Sequence, residues 1–419
     1  MLALAAKYGL HIQQMDVQTA FLYGELEEEC YMEQPPGFIE GTNLICRLRK
    51  SIYGLKQAPR VWYQVIDRFF HSIGFQRSLS DPALYIHQKH EANQLPLLIA
   101  IYVDDMIIVG KNMTHIDSIK AQLHQKFDMT DMGEIKTLLG MEIVRFQDGS
   151  VFLHQNRYLI DMLLRYKIEG YIPITTPMAE PTAPDGIDID ITEYQSRTGS
   201  LMWPSLASRP DFCFAAGYLG RSNSCPKASH GTAQKRIMRY IKGSLDMGIL
   251  YSASSNEGLI GYSDADYGGD LQDRKSTSGM VFTLFGGSIS WASTKQKTVA
   301  TATVVAEYVA LTPAIKEALW LKQLFEEISI PIGSIEVKTD AQGAMDLATN
   351  ARFSQKTKHI DIRHHFIRDH INTKEIDLKH VPTREMTADI LTKPLPRLAF
   401  ELLRSKLGLI SLTDVEPRL

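Results

Sequence analysis

The chain has 419 residues, 44% of them hydrophobic and 22% charged, with a formal net charge of −3. These values are typical of an ordinary soluble protein with two or three domains. No apolar run approaches the roughly 20 residues of a membrane span, and the first residues do not resemble a signal peptide. Four cysteines without CxxC spacing predict reduced thiols inside a cell and exclude a zinc ribbon: Cys30, Cys46, Cys213 and Cys225.

The first predicted elements surround an unusual pair of acids. Residues 56–74 have the periodicity of a helix, with Pro59 in its first turn and Gly74 at its end. The stretch "LLIAIYVDDMIIVG", residues 97–110, predicts two strands with Asp104-Asp105 at the hairpin turn. Thr114 and Asp117 predict the start of another helix. The alternation of helices and strands indicates an α+β domain.

The adjacent aspartates favour two different explanations. An exposed turn tolerates aspartate at little cost. However, the pair lacks the glycine or asparagine of a tight turn, and two carboxylates about 4 Å apart repel by ~4 kcal/mol at an effective dielectric near 20. A bound divalent cation would remove that repulsion, so both a plain turn and a metal site remain open.

Proline and acidic residues mark a boundary near the middle of the chain. The segment "YIPITTPMAEPTAPDGIDIDITEY", residues 171–194, resists both helix and sheet and predicts a linker. A mostly helical segment follows, and "VFTLFGGSISWAS" then predicts a hairpin with Gly286-Gly287 at its turn. After it, "AEYVALTPAIKEALWLKQLF" predicts a helix, and "IEVKTDAQGAMDLA" predicts a strand that leads into a helix.

Positive charge is concentrated in two segments although the net charge gives no sign of nucleic-acid binding. One is "RLRKSIYGLKQAPR", residues 47–60, and neither it nor the second segment contains an acid. The second segment, residues 227–242, carries Lys227, Lys235, Arg236, Arg239 and Lys242. Each can neutralise phosphates locally, but a solvated helix face explains either one alone more simply.

Two sets of acids lie at the ends or in the middle of apolar segments, where burial is costly unless the charge is paired or metal-bound. The first set is Asp16, Asp104 and Asp105. The second set is Asp264, Glu307, Asp340 and Asp389. Pairs of magnesium ions in phosphoryl transfer need carboxylates from separate segments. Spacing alone does not bring these acids together.

Many longer phrases resemble one family over nearly the whole chain, in family order. "QMDVQTAFLYGELEEECYMEQPPGF", "CRLRKSIYGLKQAPRVWY", "YVDDMIIVG" and "MGEIKTLLGMEI" resemble the reverse transcriptase of copia-type LTR retrotransposon Pol polyproteins. Beyond the linker, "GYSDADYGGDLQDRKSTSGMVF", "AEYVAL", "KHIDIRHHFIRD" and "ADILTKPL" resemble the RNase H region. The resemblance implies an α+β palm with an antiparallel sheet, a helical connection and an RNase H-like mixed α/β domain.

The resemblance also implies domain bounds. Residues 1–170 would form the palm and a thumb-like region, 171–255 the linker and connection, 256–396 the RNase H-like domain and 397–419 a C-terminal tail. The family's fingers segment, which precedes the "MDV" phrase, would be mostly missing because the chain starts shortly before it.

For the palm, the resemblance implies an RNA-directed DNA polymerase with two Mg²⁺ ions, or Mn²⁺ in their place. Asp16 and Asp104 would be the main metal ligands, and Asp105 would support them. Phe21 would lie under the sugar and exclude a 2′ hydroxyl, although a core phenylalanine explains it without the family. Further contacts to nucleotide and template would come from Tyr53, Gly54 and Lys56. The implied partners are an RNA template, a DNA primer and deoxynucleoside triphosphates.

For the second domain, the resemblance implies hydrolysis of RNA in RNA–DNA hybrids. Asp264, Glu307, Asp340 and Asp389 would bind two further Mg²⁺ ions. His380 would assist proton transfer or product release, against the simpler alternative of a surface histidine. A zinc site around His359, Asp361, His364, His365, Asp369 and His370 is a weak alternative because its spacing matches no common zinc motif.

Three functions remain open from the sequence. The chain could be an active enzyme with both activities, a fragment that retains only the nuclease, or an inert relic that binds nucleic acid through its basic segments. The resemblance implies an intracellular location, in a cytoplasmic virus-like particle or the nucleus, with no membrane partner and an unknown oligomeric state.

Overall fold

A computed structural model describes residues 1–87, 95–180, 186–349 and 361–415, the last range without the side chains of residues 361–364. It divides into two compact units. The small unit comprises Leu10–Ile135 and Gln323–Pro331, and the large unit comprises Met1–Gly9, Lys136–Lys322 and Ile332–Leu419. The predicted domain bounds at residues 170, 255 and 396 remain predictions. Pro181 and Pro184 of the predicted linker lie outside the described residues.

The helices and strands are numbered in chain order. The helices are α1 (Leu2–Tyr8), α2 (Ala58–Ser72), α3 (Met113–Lys126), α4 (Asn156–Arg165), α5 (Ile191–Ala207), α6 (Cys213–Gly220), α7 (Ala228–Lys242), α8 (Thr303–Glu327), α9 (Gln342–Thr349), α10 (Asp361–Asn372), α11 (Arg397–Lys406) and α12 (Leu412–Val415). The strands are β1 (His11–Val17), β2 (Glu25–Met32), β3 (Cys46–Lys50), β4 (Phe75–Arg77), β5 (Leu84–His87), β6 (Leu98–Tyr102), β7 (Asp105–Gly110), β8 (Met129–Glu134), β9 (Thr137–Leu138), β10 (Met141–Arg145), β11 (Val151–His154), β12 (Met247–Tyr251), β13 (Ile260–Ala265), β14 (Thr277–Leu284), β15 (Gly287–Lys295), β16 (Ile335–Thr339), β17 (Ile376–His380) and β18 (Leu409–Ser411). None of the described helices is both long and apolar enough to cross a membrane.

The small unit is built on a six-stranded antiparallel sheet in the order β4-β5-β6-β7-β1-β8. The apolar faces of α2 and α3 contribute buried side chains to its core, among them Trp62, Phe70 and Leu123. The helix predicted for residues 56–74 is confirmed as α2. The predicted start of the next helix at Thr114 is wrong, because the side chain of Asn112 caps α3 by accepting a hydrogen bond from the amide of His115 (3.4 Å).

The large unit contains two sheets. The first, in the order β15-β14-β13-β16-β17, pairs β13, β14 and β15 antiparallel, whereas β16 runs parallel to both β13 and β17. This mixed sheet is the arrangement expected of an RNase H-like domain. The second sheet is antiparallel, in the order β18-β12-β11-β10-β9. The predicted tail from residue 397 therefore contains regular structure, since β18 pairs with β12.

Both predicted hairpins exist, but each turns one residue earlier than expected. Tyr102 pairs with Asp105, so the first turn is Val103-Asp104. Leu284 pairs with Gly287, so the second turn is Phe285-Gly286, with φ of 50° and 88°. Gly287 is needed elsewhere: a Cβ there would lie 2.7 Å from Tyr251 Cδ1 and 2.8 Å from the Leu250 carbonyl. Close packing against β12, rather than a turn, explains this glycine.

Candidate active sites

The three acids of the small unit meet at one end of its sheet. Asp16, near the end of β1, lies opposite Asp105, and the amide of Val17 donates to the carbonyl of Asp104 (3.0 Å). Burial raises the pKa of Asp16, and the charges of Asp104 and then Asp105 raise it further. Asp104 is thus the stronger electrostatic neighbour of Asp16. The structure brings together the three palm residues that the sequence singled out, and they remain partly accessible to solvent.

The turn that presents Asp104 has an unfavourable backbone. Val103 has a φ of 60°, in the left-handed region where a β-branched residue is rarely found, at a cost of about 1–3 kcal/mol. The indole Nε1 of Trp62, on α2, donates to the Val103 carbonyl at 2.7 Å. Trp62 therefore helps to fix the turn. The helical periodicity of residues 56–74 indicates only that Trp62 belongs to an apolar helix face, because nothing in it distinguishes a donor to a distant turn.

Two aromatic rings extend this site. The rings of Phe21 and Tyr53 lie 4.4 Å apart, and the Tyr53 hydroxyl donates to Asp104 Oδ2 at 3.4 Å. Phe21 is 8% exposed and belongs to the core, whereas Tyr53 is 53% exposed. Gly54, with a φ of 99°, and Lys56 are both exposed beside Tyr53. The structure thus brings Phe21 and Tyr53 to the palm acids, and Gly54 and Lys56 follow in the same exposed segment.

The position of Phe21 depends on close packing of its short turn. The hydroxyl of Ser51 donates to the Phe21 carbonyl, and the amide of Ser51 donates to the Gly24 carbonyl (2.8 Å). A Cβ on Gly24 would lie 2.5 Å from Val61 Cγ1 of α2. Only glycine allows the turn to approach this closely, so the segment that carries Tyr53 is attached directly to the turn that carries Phe21.

The acids of the large unit gather more tightly. Asp264 lies on β13, Glu307 near the start of α8, and Asp340 directly after β16. Each offers a carboxylate oxygen, and these oxygens lie within 4.8 Å of one another. In the part of the chain that the structure describes, this is the only group of three His, Cys, Asp or Glu side chains that is so compact. Asp264 and Glu307 are 2% and 5% exposed.

Burial and mutual repulsion raise the pKa values of the acids in this cluster. Burial raises the pKa of Glu307 to about 9, with further contributions from Asp264 and Asp340. Burial and the charge of Asp264 also raise the pKa of Asp389, on a 3-10 helix at Thr387–Leu391, to about 7. A set of carboxylates that cannot all ionise together is suited to a multivalent cation.

Three side chains that sequence reasoning missed hold the acids in place. Thr392 Oγ1 donates to Asp264 Oδ2 (2.5 Å), Thr383 Oγ1 to Asp340 Oδ2 (2.6 Å), and Lys393 Nζ to Asp389 Oδ1 (2.8 Å). Burial alone would lower the pKa of Lys393, but the surrounding carboxylates raise it, so Lys393 is a fixed cation beside the acids. Thr392 and Lys393 belong to the phrase "ADILTKPL" on which the resemblance partly rests. Their place in that phrase was the sequence feature that could have identified them.

Gly279, on β14, allows the Asp389 segment to pack beside Asp264. Gly279 is paired with Asp264 across the sheet. A Cβ on Gly279 would lie 2.7 Å from Thr392 Cγ2, 2.9 Å from the Ala388 carbonyl and 2.9 Å from Leu391 Cβ. Because two of these three contacts involve backbone or a Cβ, no side-chain rotation relieves them.

The remaining candidate residues lie at the edge of this site or apart from it. His380 is exposed at the end of β17, where it is paired with Thr339, the residue before Asp340. Of the residues proposed for a zinc site, His359 lies outside the described residues, as do the side chains of Asp361 and His364. The ring of His370 contacts Glu375 through Nδ1 (2.7 Å).

Known proteins are similar to this chain in sequence over part or nearly all of its length. The family model for reverse transcriptase (RNA-dependent DNA polymerase) matches residues 1–180. The Retrovirus-related Pol polyprotein from transposon TNT 1-94 of Nicotiana tabacum is 40% identical over 423 residues, which cover 98% of this chain and 32% of that polyprotein. A putative transposon Ty5-1 protein of Saccharomyces cerevisiae is 31% identical over 312 residues, covering 72% of this chain and 100% of that protein. The solved structure of LC11-RNase H1 in complex with RNA/DNA hybrid is 19% identical, with a TM-score of 0.26, and covers 32% of this chain and 93% of that one.

The matched family and the sheet topology define a reverse transcriptase region joined to an RNase H-like domain. More specifically, the chain belongs to the Pol polyproteins of copia-type retrotransposons. It spans about a third of the length of the tobacco polyprotein, 32%. The family and the fold class predicted from the sequence are thereby confirmed.

Proposed function

We propose that the chain is an RNA-directed DNA polymerase that also hydrolyses RNA in RNA–DNA hybrids. The proposal rests chiefly on one observation, the convergence of Asp264, Glu307 and Asp340 to within 4.8 Å. Family membership and the meeting of Asp16 with Asp104 and Asp105 support the polymerase half. The proposed partners are an RNA template, a DNA primer, deoxynucleoside triphosphates and the resulting hybrid, inside a cytoplasmic particle or the nucleus.

The donor atoms of both clusters fit a magnesium site. All candidate ligands are carboxylate oxygens, the donors that Mg²⁺ and Mn²⁺ prefer. Burial, and then repulsion from the neighbouring acids, raises the pKa values of Glu307 and Asp389, and a bound cation would offset both effects. We propose two Mg²⁺ ions per site, held by Asp16, Asp104 and Asp105 in one and by Asp264, Glu307, Asp340 and Asp389 in the other. When bound, such a pair activates the attacking oxygen and stabilises the leaving oxygen of a phosphoryl transfer.

In the hydrolytic site, the surrounding side chains keep the acids oriented. The amide of Ala265 donates to Glu307 Oε2 (3.1 Å), so Glu307 is fixed against the strand that carries Asp264. Lys393 and Thr392 hold Asp389 and Asp264 in the same way. The exposed imidazole of His380 is available to accept or donate a proton as the product leaves. The substrate would be recognised through the shape and backbone of the hybrid.

In the polymerase site, the residues around Asp104 would bind the nucleotide. Phe21 would lie under the sugar and exclude a 2′ hydroxyl, and its fixed position in the core makes it suitable for a steric filter. Tyr53, whose hydroxyl reaches Asp104, would lie along the nucleotide with Gly54, and Lys56 would neutralise a phosphate. The primer's 3′ hydroxyl would attack the innermost phosphorus, and pyrophosphate would leave.

A second candidate function, hybrid cleavage without primer extension, is favoured by a specific difference. In the described residues, the palm acids do not offer three ligand atoms within 4.8 Å of one another, whereas the acids of the large unit do. A chain with only the second site assembled would act as a nuclease alone.

Primer extension on an RNA template and cleavage of an RNA–DNA hybrid, both in Mg²⁺, test the two candidates. We expect Asp104→Asn to abolish extension and leave cleavage intact, and Asp264→Asn to do the reverse. Asp117→Asn and Asp346→Asn, at exposed acids of α3 and α9, are matched controls. Cleavage without extension in the wild-type chain would favour the second candidate. Activity that survives Asp264→Asn would contradict the proposed hydrolytic site.

A further inference from the structure

A cavity of about 440 Å³ in the large unit lies outside both acid clusters and is lined by one face of α7. Ser229, Thr232, Ala233 and Arg236 follow one another at the spacing of a helix face. Arg239, one turn further on, and Arg221 also line the cavity. Its volume is in the range of sites for small ligands or for part of a polymer chain.

The cations of this cavity are not neutralised equally. Arg221 is paired with Asp270 (3.1 Å), which also binds Lys295 (2.7 Å). Arg236 instead donates to the hydroxyl of Thr176 (2.9 Å), and Arg239 donates to the carbonyl of Ile172 (2.8 Å), both neutral acceptors. Among the described residues, neither Arg236 nor Arg239 forms an ion pair. Two neighbouring guanidinium groups therefore line the cavity without a carboxylate partner.

Two buried polar atoms of the lining residues also lack a partner within the described chain. These are Arg236 Nε and Ser229 Oγ, each hidden from solvent and each without a hydrogen bond. A buried donor without an acceptor is costly, so such atoms indicate a missing ligand or ordered water. The acids that face the cavity are Glu180 and Asp270, and Asp270 is already paired with two cations.

We propose that this cavity binds a phosphate group of a nucleic-acid strand between Arg236 and Arg239. This inference rests on the proposed function, because a polymerase and nuclease must hold its strands away from the reacting atoms. Guanidinium groups match the geometry of phosphate oxygens and form paired hydrogen bonds with them. Ser229 lies seven residues before Arg236, roughly 10 Å along the helix, so it would contact a different part of the same strand.

The partial burial of Arg236 and its closeness to Arg239 also favour an anion between the two side chains. Desolvation lowers the pKa of Arg236, and the charge of Arg239 lowers it further, so the two arginines repel each other in the absence of an anion. A phosphate between them would remove this repulsion. The nearby Lys235, on the exposed side of α7, does not line the cavity and provides a matched control.

Binding of a labelled RNA–DNA hybrid, measured by fluorescence anisotropy in EDTA over a range of salt concentrations, tests the proposal without catalysis. We expect Arg236→Gln to weaken binding about tenfold and to reduce the salt dependence by about one phosphate contact. Arg236→Lys should preserve the salt dependence, and Lys235→Gln should change the affinity less than about twofold. Equal losses in Lys235→Gln and Arg236→Gln would overturn the proposal, because general charge would then explain both.

A second measurement distinguishes a strand from a free nucleotide, which offers the same phosphate chemistry. Thermal melting with 5′-AMP should change little in the wild-type chain. Two results together would overturn the strand as the ligand. One is a clear rise in the wild-type Tm with 5′-AMP that is lost in Arg236→Gln, and the other is an affinity of Arg236→Gln for the hybrid that equals the wild-type affinity. If Arg236→Gln does not fold, Arg239→Gln serves in both measurements. Neither the anisotropy measurement nor the melting measurement needs catalytic turnover. If the proposed catalysis is wrong, the comparison of wild type with Asp264→Asn in Mg²⁺ shows this independently of strand binding at the cavity.

Discussion

The two acid clusters of this chain differ in how completely the protein alone assembles them. In the small unit, Asp16, Asp104 and Asp105 lie at the partly open end of a sheet, and a hairpin turn presents one of them. In the large unit, Asp264 and Glu307 are buried, and with Asp340 they offer three oxygens within 4.8 Å. The fold holds the hydrolytic acids close together although burial and repulsion disfavour their ionised forms. The palm acids are less closely grouped and more exposed.

This difference has a physical origin in the supporting residues. The hydrolytic acids come from a strand, the start of an α-helix, the residue after another strand and a 3-10 helix, and three hydroxyl or ammonium groups hold them. The palm acids come from two adjacent strands and a single turn, supported by Trp62 and Tyr53. A cluster built from neighbouring strands needs fewer supports, but it also depends more strongly on the shape of one turn.

The largest expected effect is a loss of primer extension, and its size should differ between the palm acids. Asp16→Asn should reduce primer extension by about 10³-fold, because it removes a main ligand, whereas Asp105→Asn should cost about tenfold. Single-turnover extension at saturating Mg²⁺ measures both. Equal losses would contradict the stronger coupling of Asp16 to Asp104. Hybrid cleavage, which uses the other cluster, is the internal control.

The burial of the hydrolytic acids, together with their mutual repulsion, should appear as a pH-dependent contribution to stability. Glu307 and Asp389 have pKa values raised in the folded state, so above pH 4 these two groups bind more protons in the folded chain than in the unfolded chain. In EDTA, the contribution of these two groups to stability should therefore fall as the pH rises, up to about pH 7 for Asp389 and beyond pH 8 for Glu307, by up to about 1.4 kcal/mol per pH unit for each group.

Thermal melting in EDTA measures this loss, and Glu307→Gln should make it smaller. Added Mg²⁺ should restore more stability at pH 8 than at pH 5, because it binds the ionised acids. Glu326→Gln, at an exposed position of the same helix, is the matched control. A difference in melting temperature between the wild-type chain and Glu307→Gln that stays constant from pH 5 to 8 in EDTA would contradict the raised pKa of Glu307.

A substitution at a glycine, rather than at one of the acids, should also disable the hydrolytic cluster. Gly279→Ala forces the 3-10 helix that carries Asp389 away from β14, and overpacking of this kind costs about 1–3 kcal/mol. We expect hybrid cleavage to fall at least about tenfold, with primer extension unchanged. Gly258→Ala, where a Cβ meets no atom within 4 Å, is the control. Loss of both activities would instead indicate general unfolding.

The smallest expected effect concerns the turn that presents Asp104. Trp62→Phe keeps most of the buried ring but loses the hydrogen bond to the Val103 carbonyl. We expect extension to fall by about three- to tenfold, since the net contribution of one hydrogen bond is about 1 kcal/mol, and cleavage to be unaffected. An unchanged rate of extension would mean that the turn holds its shape without the indole.

Sequence patterns predicted the elements well and their turns less well. Apolar alternation predicted both hairpins, yet each turn lies one residue earlier, because pairing of Tyr102 with Asp105 and of Leu284 with Gly287 decides the register. Gly287 was read as a turn residue because a glycine required by packing and a glycine required by a turn are identical in sequence. Val103 shows the converse case, since no propensity predicts a β-branched residue with a positive φ.

The acids themselves could be predicted only through the resemblance. Asp16 and Asp104 are separated by most of the small unit, and Asp264 and Asp389 by most of an RNase H-like domain, so no local pattern implies that they meet. The supporting residues Thr383, Thr392 and Lys393 were missed because threonine and lysine are common at surfaces. Their roles depend on three-dimensional contacts alone.

The close packing at Gly279 has a consequence for counting functional copies of such elements in a genome. A copy that retains all four proposed hydrolytic acids but carries a larger residue at position 279 is expected to cleave hybrids poorly, and a single base change in the glycine codon is enough to produce it. A census based only on the acidic residues would therefore score damaged copies as competent. The residue at position 279 should therefore be read together with the four acids.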